Sequence, residues 1–226
     1  MNYAVIACET LQDELNLAIK ETGCNLPVVW VNSDYHDDSN KLRTKLQEEI
    51  DKLTDIDYVL FAYGCCGNAL VGLNANKSKL IIPVTDDCIS MVLSEPGKKY
   101  IRHKETYFLT RGWLESSKSI AREHAYTIKR YGETRAKKIF SRMFEHYRYL
   151  MLIDTGAYNF KDNSFKFKEF AKDLGLEPVV ERGNIWFLKK LLLGPYDEDF
   201  CIIEKGESVT LNHFGYVQRG PAHQHQ

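Results

Sequence analysis

The amino-acid sequence predicts an α/β protein built from Rossmann-like parallel sheets flanked by helices. Two observations carry this prediction. Short runs of β-branched and aromatic residues alternate with charged segments of helical period, which is typical of βαβ units around a parallel sheet. The order strand, helix, strand, helix, strand also occurs twice, over residues 3–63 and 149–203, which predicts two βαβαβ halves.

The first half begins with four predicted strands, over residues 3–7, 27–31, 58–63 and 80–84. The third and fourth strands are continuously apolar, as expected for strands that are covered on both faces. Two amphipathic helices separate the first three strands. Their apolar faces consist of Leu11, Leu15, Ala18 and Ile19 in the first helix and of Leu42, Leu46, Ile50 and Leu53 in the second.

A polar stretch of helical period, over residues 118–148 and broken near Gly132, follows a fifth expected strand at residues 105–110. The strand and helix pattern then starts again. The second half is predicted to contain strands over residues 149–153, 177–181 and 200–203 and helices over residues 164–174 and 185–193.

These patterns divide the chain into an N-terminal α/β half (residues 1–115), connecting helices (116–148) and a C-terminal α/β half (149–226). After Gly206 we expect a weak strand and then a disordered end. The pattern alone leaves open whether the two halves form one continuous sheet or two lobes that face a cleft.

The composition excludes several classes of protein. With 30 Lys and Arg against 31 Asp and Glu, the net charge of −1 argues against nucleic-acid binding through bulk positive charge. The longest apolar runs fall far short of the roughly 20 residues of a membrane helix, and no signal peptide precedes the first strand. We therefore expect a cytoplasmic protein without a membrane or nucleic-acid partner, in which the cysteines stay reduced.

Four of the six cysteines lie just beyond the carboxyl ends of predicted strands: Cys8, the pair Cys65 and Cys66, and Cys88. Ligands bind at this edge of open α/β sheets. In a strand order of 2-1-3-4, the first, third and fourth strands are neighbours about 4.8 Å apart, so the thiols converge, whereas an order of 3-2-1-4 makes convergence harder. Three thiolates with one open position suit a [4Fe–4S] cluster or a zinc ion. Cys24 and Cys201 are better explained as core residues.

The residues around these cysteines favour a binding site, although cysteine also fills core space at strand ends. Gly64 and Gly67 flank the cysteine pair, which allows tight turns and a close approach of the backbone to a ligand. Asp86 or Asp87 is expected to cap a short helix that follows. The amides at the start of that helix are expected to lower the pKa of the Cys88 thiol.

Four further residues lie where they would contact a ligand: His36, Arg111, Trp113 and Asp154. His36 follows the second strand and is either a ligand or acid/base group, or part of a loop that caps the next helix. Arg111 and Trp113 suit an anionic or planar ligand, or else a structural seam. Asp154 either binds substrate or caps a turn. Walker A, G-x-G-x-x-G, G-x-S-x-G and H-E-x-x-H motifs do not occur, so the enzyme classes they mark lose their usual support.

Several of these segments together resemble the DUF1638 family of bacteria and archaea: Ala7-Cys8, Tyr63-Gly64-Cys65-Cys66-Gly67-Asn68, Ile82-Pro83, Asp86-Asp87-Cys88, Gly112-Trp113 and Ile153-Asp154-Thr155-Gly156. The resemblance covers nearly the whole chain. Because the family usually has an apolar residue at the position of Cys65, it implies that Cys66 is the ligand of the pair. Glu9 stands where the family usually has glycine. Family members are frequent in organisms that use corrinoid-dependent methyl transfer, often near its genes, which implies a supporting role in one-carbon metabolism.

The leading hypothesis is a metal-centre protein that binds a [4Fe–4S] cluster and acts on or delivers a small ligand in corrinoid-linked metabolism. The expected metal ligands are Cys8, Cys66 and Cys88, and the expected cofactor-binding residues are His36, Asn68, Arg111, Trp113 and Asp154. One alternative is an accessory protein that binds a corrinoid protein or methyltransferase. Another is a cysteine-based thiol or sulfur transferase. Zinc and a corrinoid are the alternative cofactors, since thiolates accept zinc as well as iron.

Overall fold

A computed structural model of the chain describes residues 1–159 and 161–215, with the side chains of residues 161–166 outside that description. In chain order the described elements are β1 (Tyr3–Cys8), α1 (Gln12–Thr22), β2 (Val28–Val31), α2 (Ser39–Lys52), β3 (Tyr58–Ala62), β4 (Lys79–Pro83), α3 (Cys88–Leu93), β5 (Thr106–Leu109), α4 (Arg111–Glu115), α5 (Ile120–Tyr131), α6 (Glu133–Met143), β6 (Tyr149–Asp154), α7 (Lys161–Leu174), β7 (Glu177–Arg182), α8 (Trp186–Leu193) and β8 (Phe200–Ile203). Short 3-10 helices cover Glu9–Leu11, Ser33–Asp37 and Leu211–Phe214.

Two sheets flanked by helices confirm the α/β class. The larger sheet has the strand order β2-β1-β3-β4-β8, in which the first four strands are parallel and β8 is antiparallel to β4. Of the two strand orders that the sequence left open, the structure has 2-1-3-4, the one in which the thiols converge. The smaller sheet is parallel throughout, with the order β5-β6-β7.

The two sheets exchange strands across the boundaries expected from the sequence. β5 belongs to the N-terminal segment but pairs with β6, while β8 belongs to the C-terminal segment but pairs with β4. The second series of strand, helix, strand, helix, strand therefore does not form one sheet of its own. The position of α8 explains this arrangement. Because α8 packs against α1 and β3, the segment that follows α8 reaches the edge of the larger sheet, where β8 pairs with β4.

The central strands of the larger sheet are buried on both faces. Val5, Leu60 and Ile81 belong to a core cluster on the face covered by α1 and α8. Alternate residues such as Ile6 and Phe61 belong to a second cluster, on the face covered by α2. The first cluster also contains Phe108, Met151 and Ile153 of the smaller sheet, so one hydrophobic core joins the two sheets.

Local capping explains where the helices begin and end. The Asp38 side chain accepts hydrogen bonds from the backbone amides of Asn40 (2.9 Å) and Lys41 (3.3 Å) and so caps α2. The expected break in the long helical stretch is confirmed at Gly132, which has φ of 79° and separates α5 from α6. The apolar face expected for α2 is buried, at Leu42, Leu46 and Ile50.

After β8 the last described residues lie against the segment that joins β3 to β4, with hydrogen bonds between Val209 and both Gly72 and Leu73. The weak strand expected after Gly206 is reduced to one bridge between Asn74 and Ser208, and a 3-10 helix follows. The disorder expected at the end of the chain falls on residues 216–226, which lie outside the described residues. Within the described part of the chain, every helix is too short or too polar to cross a membrane.

Candidate functional site

Three thiols lie together at the carboxyl ends of β1, β3 and β4. Cys8 ends β1, Cys66 lies in the loop after β3, and Cys88 is the first residue of α3, which follows β4. The Cys8 and Cys88 side chains are buried and Cys66 is half-buried. The edge predicted from the sequence therefore brings the three expected metal ligands into one neighbourhood.

The loop that carries Cys66 is held against the loop that precedes Cys88. The backbone amide of Cys66 donates a hydrogen bond to the Asp86 carbonyl at 2.8 Å. Gly64 packs so closely on this loop that a Cβ atom there would lie 2.6 Å from the Asp87 Cα, which excludes any larger residue. Cys66 itself has φ of 46°, a conformation that costs energy for a residue with a side chain. The fold therefore maintains a strained backbone at this thiol.

Each of the other two thiols has a specific polar neighbour. The Cys8 Sγ lies 3.0 Å from the Thr10 hydroxyl and 3.2 Å from His36 Nε2. The Trp113 indole N–H donates a hydrogen bond to the Cys88 Sγ at 3.4 Å. His36 and Trp113, two of the residues expected from the sequence to contact a ligand, are thus in contact with the thiols.

Burial dominates the electrostatics of the three thiols. It raises the pKa of Cys66, and the nearby Cys88 and Cys8 raise that pKa further. Burial also raises the pKa of Cys88, followed by the charges of Asp87 and Cys8. The expectation that helix-start amides lower the Cys88 pKa is therefore wrong, because α3 begins inside the core and its capping carboxylate opposes the thiolate.

The rings of His36 and Trp113, which meet edge to face, contact Cys8 and Cys88 respectively and so connect the two thiols. Three uncharged thiols fit this site, whereas three thiolates would need a nearby positive charge. Within residues 1–159 and 161–215, no group of three or more His, Cys, Asp or Glu side chains is arranged so as to hold a metal ion.

Two aromatic rings and a histidine ring surround the thiols. The His36 ring stacks on Tyr63, with centroids 6.1 Å apart, and meets the edge of Trp113 at 5.1 Å. Burial lowers the pKa of His36, so the imidazole is held in its neutral form. The Tyr63 hydroxyl is fully buried and has the Cys8 thiol as its polar neighbour in the site.

A cavity of about 480 Å³ opens beside the thiols. Cys66, Cys88, His36 and Trp113 line its inner end, and β5 supplies an apolar wall. Two ion pairs lie at its margin, Arg102 with Asp87 and Lys118 with Asp37. The cavity therefore combines thiols, a neutral imidazole, an apolar surface and paired charges in a volume suited to a small ligand.

Three of the residues expected to bind a cofactor lie elsewhere. The Asn68 side chain accepts a hydrogen bond from the Cys65 thiol at 3.4 Å. Arg111 forms an ion pair with Asp13 at 3.0 Å and lines a different cavity, of about 360 Å³. Asp154 accepts a hydrogen bond from the Gly156 amide at 3.1 Å, which is the turn-capping alternative. None of the three lines the thiol cavity.

The remaining cysteines are separate from the three thiols. Cys65 belongs to the core cluster under α2, and Cys201 lies near it, with its Sγ 3.5 Å from the Ile82 carbonyl oxygen. Cys24 packs against the other core cluster. The structural position of Cys24 and Cys201 thus agrees with the expected packing role.

Sequence reasoning did not identify Thr10, Arg102 or Tyr63 as members of the site. Thr10 lies two residues beyond Cys8, and Tyr63 lies at the end of β3, so the strand-end rule that selected the cysteines applied to both. Arg102 comes from the irregular segment before β5, where no periodicity indicates a position in space. Its contact with Asp87 depends on the packing of the two sheets.

Fold and site together define an α/β protein with a thiol-lined cavity at the carboxyl edge of its larger sheet. The chain belongs to the DUF1638 family, since the family model described as "Protein of unknown function (DUF1638)" matches residues 30–192, more than two thirds of the chain. The matched range contains Cys66 and Cys88 and begins after Cys8. No curated protein and no solved structure matches the chain.

Proposed function

We propose that Cys8, Cys66 and Cys88 bind a metal centre, in the first place a [4Fe–4S] cluster, which acts on a small ligand held in the adjacent cavity. One observation carries the proposal. Three thiols stand at the carboxyl ends of three adjacent strands, and two of them, Cys66 and Cys88, line a cavity of about 480 Å³. Thiolates are the usual ligands of iron–sulfur clusters.

The unfavourable ionisation of these thiols supports a cationic centre. In their buried position the thiols stay protonated, because burial raises the pKa of each thiol and the cations that line the cavity, Arg102 and Lys118, are already paired with Asp87 and Asp37. A bound metal supplies that charge and deprotonates its thiol ligands outright. Loading requires the three Sγ atoms to turn toward a common point, because the side chains of the described residues as they stand do not form an ion-binding group.

A cluster fits three ligands from three strands. Each thiolate of a [4Fe–4S] cluster binds a different iron, so three cysteines leave one iron open to a small ligand. His36, 3.2 Å from Cys8, and Trp113, 3.4 Å from Cys88, would lie beside the thiols that hold such a centre. Zinc is the alternative metal, since the same thiolates accept it.

The size of the cavity limits the role of a corrinoid. A complete corrinoid is larger than about 480 Å³, so we assign the cavity to a smaller molecule. A link to corrinoid-dependent methyl transfer, which the family resemblance implies, would then operate through a corrinoid protein or methyltransferase as partner. A cytoplasmic location belongs to the same proposal, because all six cysteines are free and a reducing compartment keeps them so.

Metal analysis of oxygen-free protein tests the proposal. Protein purified or reconstituted without oxygen is expected to contain about four iron atoms and four sulfides per chain. Cys66→Ala and Cys88→Ala should abolish this content, whereas Cys24→Ser and Cys201→Ser should retain it. Zinc measured in the same samples identifies the alternative metal. Metal-free protein under these conditions, or equal metal content in all four variants, would contradict the proposal.

The contact between Cys8 and His36 favours a second candidate function, a thiol transferase. A nucleophilic cysteine needs a base within hydrogen-bond reach, and the 3.2 Å distance between Cys8 Sγ and His36 Nε2 satisfies that requirement. The pKa shifts of the two residues oppose a thiolate–imidazolium ion pair, however, because burial raises the pKa of Cys8 and lowers that of His36.

Alkylation with iodoacetamide, followed by mass spectrometry, separates the two functions. If the protein is a thiol transferase, iodoacetamide should modify Cys8 selectively and rapidly near neutral pH. This modification should be slower in His36→Gln. The metal-centre proposal predicts slow modification of Cys8 in the metal-free protein and further protection after loading.

A further inference from the structure

The two connecting helices carry a strong local excess of positive charge. Within α5 and α6, seven Lys and Arg residues stand against two Glu, so this hairpin has a net charge of +5 while the whole chain has −1. The rest of the chain therefore carries −6. The cations of the hairpin are Arg122, Lys129, Arg130, Arg135, Lys137, Lys138 and Arg142.

Most of the hairpin surface is exposed. The side chains it buries form one narrow stripe, made of Ile120, His124, Thr127, Ala136 and Phe140. Large apolar groups remain outside that stripe, since Tyr126, Tyr131 and Met143 are 56%, 44% and 46% exposed. A surface that combines exposed aromatic groups with cations is typical of a binding interface.

Arginine and tyrosine side chains lie together at the tip of the hairpin, near the turn between α5 and α6. The Arg130 guanidinium lies over the rings of Tyr126 (5.9 Å) and Tyr131 (5.3 Å) and donates a hydrogen bond to the Tyr126 hydroxyl at 2.6 Å. The Arg135 guanidinium also lies over the Tyr131 ring, 5.7 Å from its centroid. Within the described part of the chain, neither arginine forms an ion pair with a carboxylate. Both guanidinium groups thus lie against aromatic rings, and among the described residues no carboxylate pairs with them.

We propose that this tip, formed by Tyr126, Arg130, Tyr131 and Arg135, docks an acidic segment of a partner protein. Arginine forks bind carboxylates in a bidentate manner, and tyrosine and arginine dominate the energetics of protein interfaces. A protein segment fits better than a nucleic acid. The exposed tyrosines and Met143 suit apolar side chains between carboxylates, and the −6 charge on the rest of the chain opposes a long polyanion.

The tip also has a defined position relative to the thiol cavity. Ile120, at the start of α5, lines that cavity. Arg130 lies ten residues further along the helix, which corresponds to about 15 Å. The tip therefore lies about 15 Å along α5 from a residue that lines the thiol cavity. The docking proposal does not depend on what the cavity binds.

Fluorescence anisotropy of the full chain with defined probes tests the inference. The probes are a fluorescein-labelled peptide of repeating Glu-Glu-Leu, the matching Gln-Gln-Leu peptide, and a labelled single-stranded RNA. We expect binding of the acidic peptide alone, weakened between about 50 and 200 mM salt as charge-dependent binding requires. Arg130→Glu combined with Arg135→Glu should raise its Kd roughly tenfold or more.

Two variants make the result specific to the tip. Lys99→Glu combined with Lys205→Glu changes the net charge equally at exposed positions elsewhere and should leave the Kd within about twofold. Arg130→Lys combined with Arg135→Lys keeps the charge but removes the planar forks, and should weaken binding by an intermediate factor. Circular dichroism verifies that each variant is folded.

Three results would overturn the proposal. The first is equal weakening by the Lys99 and Lys205 variants, which would show a general charge effect. The second is tighter binding of RNA than of the acidic peptide, or no binding of that peptide. The third is concentration-dependent self-association that the tip variant abolishes, which would make a second copy of this chain the occupant.

Discussion

Replacement of Glu14 by glutamine is expected to stabilise the protein near pH 8 and to leave its stability almost unchanged near pH 4. Glu14 lies on α1 and is fully buried. Its Oε1 accepts a hydrogen bond from the Thr155 hydroxyl at 2.9 Å, whereas its Oε2 has no partner within the described residues. Arg111 and Asp13 are close enough to influence it, and their opposite charges act in opposite directions.

The magnitude follows from the cost of burying this carboxylate. Burial raises the pKa of Glu14 from 4.5 to about 7. Below pH 4.5 the group is protonated in both states, so it costs nothing. Between pH 4.5 and 7 only the unfolded state loses its proton, and stability falls until both states are ionised above pH 7. At about 1.36 kcal/mol per pKa unit, the full loss is about 3 kcal/mol.

Urea denaturation at about pH 4 and about pH 8 measures this difference. Glu14→Gln should match the wild type at the lower pH and exceed its free energy of unfolding by about 3 kcal/mol at the higher pH. Glu48→Gln is the matched control, because Glu48 is exposed and its nearest cation, Lys45, is 3.9 Å away. The reasoning is refuted if Glu14→Gln changes stability equally at the two pH values, or if it destabilises the protein at pH 8.

Other predictions concern packing and capping. Gly112→Ala should destabilise the protein by about 1–3 kcal/mol, because the added Cβ would lie 2.1 Å from the Thr10 carbonyl oxygen. We also expect a shift in tryptophan fluorescence, because the substitution displaces the neighbouring Trp113 indole. Leu46→Ala should cost about 2–5 kcal/mol in urea denaturation, whereas Leu193→Ala, at a position 66% exposed, should cost less than about 0.5 kcal/mol. Asp38→Ala should cost about 1 kcal/mol through loss of the α2 cap, and an unchanged midpoint would contradict that role.

The sequence was sufficient to predict the edge of the sheet at which the thiols meet. Strand ends in a parallel sheet follow from local patterns, because buried strands are continuously apolar and the residue after each strand faces the same edge. The positions of Cys8 and Cys88 needed only this rule and the strand order β2-β1-β3-β4. The rule requires only the order of neighbouring strands in the sheet. It does not require any side-chain contact between distant segments of the chain.

Features that depend on the packing of the two sheets could not be predicted in the same way. The hydrophobic pattern of β8 indicates a strand but carries no information on which sheet it joins, and β8 pairs with β4 across more than 100 residues. The raised pKa of Cys88 likewise depends on how deeply α3 is buried, which one helix sequence does not determine. Arg102 and Asp87 meet only because the segment before β5 returns to the first sheet.

The motif residues that lie away from the thiols form a seam between the two sheets, centred on α1. Arg111 pairs with Asp13, and Gly112 packs on the Thr10 carbonyl. Glu14 binds Thr155, which lies directly beyond the end of β6 in the smaller sheet.

This seam determines where Trp113 stands. Trp113 directly follows Gly112 in the chain. The Trp113 indole N–H donates a hydrogen bond to the Cys88 Sγ at 3.4 Å. The close contact at Gly112 and the ion pair of Arg111 therefore fix α4 against α1 and hold the indole over the thiols. Arg111 thus contributes to the site by position, through the packing of one sheet on the other, although it does not touch the cavity that a ligand would occupy.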